Sequence, residues 1–132
     1  MGRWPKLPGM PPSAPPPGPP PRRLILGHGR VFTFEAEYCH STEAFRRMYP
    51  TLYPDEYRIG LLPRYDECWL DYERDDAAFG RDVLALVGEI EALAEKGYRL
   101  PIDTFVIHTS DTLHRDRMYE MLKPWYAVTR AR

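Results

Sequence analysis

Residues 65–72, Tyr-Asp-Glu-Cys-Trp-Leu-Asp-Tyr, and residues 102–111, Ile-Asp-Thr-Phe-Val-Ile-His-Thr-Ser-Asp, decide how this chain is read. Both are short apolar or aromatic runs that end on polar side chains, the mark of strands whose tips reach solvent. Between them Phe79, Val83, Leu86, Val87, Ile90, Leu93 and Ala94 recur one helical turn apart. Such spacing predicts an amphipathic helix, stopped at Lys96-Gly97 by a basic last turn and a C′ glycine. After the second run, Leu113, Met118, Met121 and Leu122 outline a further helix over roughly 112–122. Strand, helix, strand, helix predicts parallel βαβ units and a sheet with helices on both faces.

Working outward, Leu24-Ile25-Leu26 forms a short first strand and Gly27-His28-Gly29 a turn. The near-alternation Val31-Phe-Thr-Phe-Glu-Ala-Glu-Tyr38 predicts a half-exposed second strand. Ser41 or Thr42 can cap a short helix that runs through Arg47 and ends before Pro50. Residues 49–64 hold Pro50, Pro54 and Pro63 among Tyr49, Tyr53, Tyr57 and Leu61, a long loop or inserted element. A fifth strand is placed near Tyr126–Thr129.

The chain has 132 residues, of which 15 are proline, and ten of those lie between Pro5 and Pro21. Proline fixes φ and removes the amide donor, so residues 1–22 read as a disordered or polyproline II tail. Residues 23–132 then form one domain, large enough for a single core. Hydrophobic residues at 43% and aromatics at 13% can fill that core, and a net charge of −1 gives no pull towards duplex DNA or an anionic membrane. No apolar run is long enough to span a bilayer, and no signal-peptide core follows the N-terminus. Cys39 and Cys68 lie in separate strands without a C-x-x-C or zinc-type spacing, so they read as free core thiols of a cytoplasmic protein.

In parallel sheets, ligands gather beyond the carboxyl ends of the strands. That rule selects Gly27 and His28, Asp71, and His108, Thr109 and Ser110. Asp71 at a strand tip can act as nucleophile, base or ligand; its plain alternative is a carboxylate that accepts loop amides. His108 can serve as a general acid or base, or simply hold a loop carbonyl. Thr109 and Ser110 offer hydroxyls and amides to a phosphate, or cap the helix that follows. Arg115, one turn into that helix, can reach an anion at its start. The acidic run Asp71, Glu73, Asp75, Asp76 lacks the glycine and distal glutamate of a calcium loop, and His28, His40, His108 and His114 show no zinc spacing.

Leu70-Asp71-Tyr72-Glu73, Gly80-x-Asp82-Val83, and Ile107-His108-Thr109-Ser110-Asp111 with Arg115 and Met118 resemble the cyclic-phosphate processing receiver domains. These are small bacterial relatives of response-regulator receivers, with L-D-H-D-L-G, T-G-x-D-V and H-S-x-N-P-x-G-R-x-x-M motifs. Asp71 matches the first aspartate, Tyr72 and Glu73 replace the histidine and second aspartate, and Asp111 stands at the asparagine. The resemblance implies a flavodoxin-like three-layer fold of four or five strands in the order 2-1-3-4. It implies a cleft at Asp71, His108 and His28, with Thr109, Ser110, Arg115 and Glu73 as ligand contacts. The implied ligand is a phosphate-bearing small molecule or RNA end, such as a 2′,3′-cyclic phosphate. The alternative is an inactive pseudo-receiver with a protein partner. Receivers hold magnesium through an acidic pair after strand one plus the strand-three aspartate. This chain has Gly27-His28 there, so a magnesium ion at Asp71 is weakly supported and the cofactor is left open.

Overall fold

The structure is a computed structural model and describes residues 18–49 and 62–131. It contains strands β1 (Arg23–Gly27), β2 (Glu37–Cys39), β3 (Tyr65–Tyr72), β4 (Ile102–Thr109) and β5 (Ala127–Ala131). Helices α1 (Thr42–Met48), α2 (Ala77–Glu95) and α3 (Thr112–Leu122) lie between them. All strand pairs are parallel, and the sheet order is β2-β1-β3-β4-β5. The chain is therefore an α/β protein with the flavodoxin-like strand order, and the fifth strand adds to the β4 edge. The tail over residues 1–17 and the aromatic loop over 50–61 lie outside the described residues. Among the described residues, no helix is long and apolar enough to cross a membrane.

Strand order fixes where the helices go. From β2 to β3, β3 to β4 and β4 to β5, each crossover steps in the same direction across the sheet. Right-handed crossovers then put α1, α2 and α3 on one face. Their apolar residues Phe45, Phe79, Val83, Leu86, Ile90, Met118 and Leu122 join Leu24, Leu26, Cys39, Cys68, Leu70, Phe105 and Ile107 in one buried cluster. Roughly 1.5–3 kcal/mol of transfer free energy per fully buried apolar side chain makes this layer the main source of stability.

The step from β1 to β2 runs the other way, so residues 28–36 pass over the opposite face. Where the sequence suggests helices on both faces, the described residues carry three helices on one and this segment on the other. Phe32 and Phe34 pack against Trp69 at 5.3 and 5.2 Å between ring centroids. Trp69 stands in register with buried Ile25 and Val106, the alternate residues of their strands.

The second strand is a correction. The alternation over Val31–Tyr38 predicts a strand, but only Glu37–Cys39 pairs with β1. The alternation is real: Phe32, Phe34, Ala36 and Tyr38 are half-buried, while Val31, Thr33, Glu35 and Glu37 are exposed. Its cause is an extended segment lying on the sheet face. Period-two burial reports extended backbone over an apolar surface, whether or not its amides join a ladder.

Local signals elsewhere agree with the sequence. Ser41 caps α1, its hydroxyl accepting from the Ala44 amide at 3.0 Å. Gly97 has φ of +94°, the left-handed geometry in which glycine ends a helix. Tyr49 is buried, and its hydroxyl donates to the Pro63 carbonyl at 2.8 Å. Cys39 and Cys68 are both buried free thiols whose pKa values burial pushes up.

Candidate functional site

The register aligns Gly27, Asp71, His108 and Ala131 across β1, β3, β4 and β5 at the carboxyl edge. Paired residues on parallel strands point to the same face, so Asp71 and His108 meet side by side. His108 Nδ1 lies 2.5 Å from Asp71 Oδ1, and the Asp71 side chain is only 2% exposed. A buried carboxylate needs a compensating partner, and the imidazole N–H supplies one. With Nδ1–H donated to Asp71, the basic nitrogen of neutral His108 is Nε2. The ring is held at its edges by Phe32 and Trp69, at 5.9 and 5.6 Å between centroids.

The second oxygen of Asp71 faces Arg30. Arg30 Nε lies 3.6 Å from Asp71 Oδ2, and Arg30 Nη2 pairs with Glu73 Oε1. Glu73 Oε2 accepts from the Ser110 hydroxyl at 2.9 Å, while that hydroxyl oxygen accepts from the Arg74 amide at 2.7 Å. Arg30, Glu73, His108, Thr109 and Ser110 line a cavity of about 250 Å³. Gly27 makes room for this arrangement: a Cβ there would sit 3.0 Å from the Asp71 carbonyl oxygen and 3.2 Å from Oδ2.

Of the other expected contacts, Thr109 lines this cavity, while His28 and Arg115 are engaged elsewhere. His28 is not brought to the pair. Its Nδ1 is 2.8 Å from Asp76 Oδ2, and its ring stacks on Phe79 at 4.4 Å. It lines a separate concavity with His40, Glu43 and Asp82. Thr109 is buried, and its hydroxyl accepts from the Asp111 amide at 3.1 Å. The start of α3 is occupied by Asp111, whose carboxylate accepts from the His114 amide at 3.1 Å. Arg115 donates from Nε to Asp116 Oδ1 at 3.2 Å, an oxygen that Arg130 shares. Beneath this helix start, the Tyr72 hydroxyl lies 3.0 Å from His114 Nδ1, and burial first, then Asp111, pushes the phenol pKa up.

Arg30 and the aromatic pair Phe32 and Phe34 are the residues that sequence reasoning missed as site components. Nothing local marks them; they reach Asp71 and Trp69 only because the β1–β2 connection crosses the sheet face. The donor set does not fit magnesium. Asp71 is engaged by an imidazole and a guanidinium, Gly27-His28 adds no carboxylate, and a hard dication needs several anionic oxygens. Among the described residues, no group of three or more His, Cys, Asp or Glu side chains is placed to hold a metal ion.

No protein-family model, curated protein or solved structure matches the chain.

Proposed function

We propose that the carboxyl-edge cavity binds a phosphate-bearing ligand, with a 2′,3′-cyclic phosphate nucleotide or an RNA end as the favoured class. The observation that carries this reading is the Asp71–His108 contact beside a cavity that Arg30 also lines. A buried carboxylate fixes the imidazole tautomer and orientation, which an acid–base or hydrogen-bonding histidine requires. Arg30 supplies a planar donor fork suited to phosphate oxygens. The resemblance around Asp71 and His108 points to the same ligand class. Buried thiols fit a reducing cytoplasm as the setting.

Cleavage of a cyclic phosphodiester commonly uses two acid–base groups and an anion clamp. His28 and Arg115, which would complete that set, are engaged with Asp76 and Asp116. Those engagements favour a second reading, an inactive receiver-like module that meets a protein partner.

Titration of a 2′,3′-cyclic nucleotide against the wild type and His108→Ala separates the two. The first reading expects saturable binding by the wild type, at least tenfold weakened in the variant, and unchanged when magnesium is chelated. Equal and negligible binding by both proteins removes it and leaves the interaction module.

A further inference from the structure

We infer that the Glu73 carboxylate is an internal occupant of the phosphate position, competing with the ligand for Arg30 and Ser110. This rests on the phosphate-binding reading of the cavity and adds how access to it is controlled. Glu73 lies one residue past β3, and its side chain is 53% exposed. Even so, both carboxylate oxygens are engaged: Oε1 with Arg30 Nη2, and Oε2 with the Ser110 hydroxyl. These partners come from the β1–β2 connection and from the turn after β4. The carboxylate therefore bridges the two walls of the cavity.

The hydrogen-bond inventory explains why this position is an anion site. The Ser110 oxygen accepts from the Arg74 amide, so its single proton is directed to Glu73. Arg30 meets Asp71 through Nε and Glu73 through Nη2. When Glu73 swings out, Nε keeps its hold on Asp71, while Nη2 and the Ser110 hydroxyl are left as donors without an acceptor. Two convergent donors beside the His108 ring suit the oxygens of a phosphate group. An exposed glutamate with rotamer freedom can leave at small energetic cost, because exposed ion pairs contribute little. Asp71, 2% exposed, cannot exchange in this way.

The same carboxylate also sets the charge. With Glu73 in place, two carboxylates face Arg30 and His108, and an incoming anion meets no net attraction. Without it, the cavity gains one positive unit.

The test is calorimetric titration of a 2′,3′-cyclic nucleotide into the wild type, Glu73→Gln and Glu73→Ala. Both variants are expected to bind roughly three- to fivefold more tightly than the wild type. Asp75→Asn removes the same charge from an exposed neighbour that makes no hydrogen bond or ion pair with Arg30 or Ser110, and is expected to stay within about twofold of the wild type. In an Arg30→Gln background the gain from Glu73→Gln is expected to vanish. Wild-type binding that is unchanged in both Glu73 variants overturns the inference and leaves the binding reading standing. So does a gain that Asp75→Asn matches or that survives Arg30→Gln. No binding by any of the proteins removes both.

Discussion

At the carboxyl edge of the sheet, the histidine–aspartate pairs His108–Asp71 and His28–Asp76 differ in almost everything but composition. His108 and Asp71 sit at 2.5 Å on adjacent strands, with side chains 13% and 2% exposed. His28 and Asp76 sit at 2.8 Å on a glycine-flanked turn and a helix start, with side chains 56% and 33% exposed. The first pair is fixed by the ladder, since Asp71 and His108 are register partners. The second is held by its own contact and by His28 stacking on Phe79. Contact chemistry alone therefore does not identify a functional histidine. A buried carboxylate tied to rigid backbone restricts an imidazole to one orientation, whereas an exposed pair leaves it free to exchange with water.

The comparison can be broken at several points. Asp71→Ala removes a buried carboxylate, leaving the His108 N–H without its acceptor and the Arg30 guanidinium without one of its two ion-pair partners. Chemical denaturation is expected to show a loss of roughly 2–4 kcal/mol. A loss below about 1 kcal/mol would mean that the pair is hydrated and no more special than His28–Asp76. Gly27→Ala pushes a Cβ to 3.0 Å from the Asp71 carbonyl oxygen, on a backbone that cannot easily yield. About 1–2 kcal/mol of stability should go, with nucleotide affinity falling in parallel. Should affinity survive intact, the position of Asp71 does not matter to the site. His28→Ala is expected to cost about 0.5 kcal/mol and to leave nucleotide affinity unchanged. A loss of affinity like that of His108→Ala would bring the two-histidine arrangement back.

Much of this architecture was legible in the chain. The helix through Leu93 is legible because one face is buried and burial imposes a period, whereas Tyr65–Tyr72, covered on both faces, is legible as a short apolar and aromatic run that ends on polar residues. Asp71 and His108 were legible too, since a polar residue ending an apolar strand falls at the carboxyl edge by topology alone. Val31–Tyr38 misleads because its alternation records burial on the sheet face, where Phe32 and Phe34 meet Trp69, and pairing leaves no separate trace in the pattern. His28 lies in the loop that the strand-end rule selects but pairs with Asp76, for a turn between two glycines does not fix where its side chain points.

Periodicity alone marks β3, α2, β4 and α3, and their alternation makes them parallel βαβ units with polar groups collected at one edge. Tertiary packing settles which polar groups meet. It set Asp71 against His108 through register, brought Arg30 over them through the β1–β2 connection, closed Glu73 onto Arg30, and turned His28 and Arg115 away. Side-chain partnerships across a sheet depend on distances between segments far apart in the chain, and no local spacing encodes those.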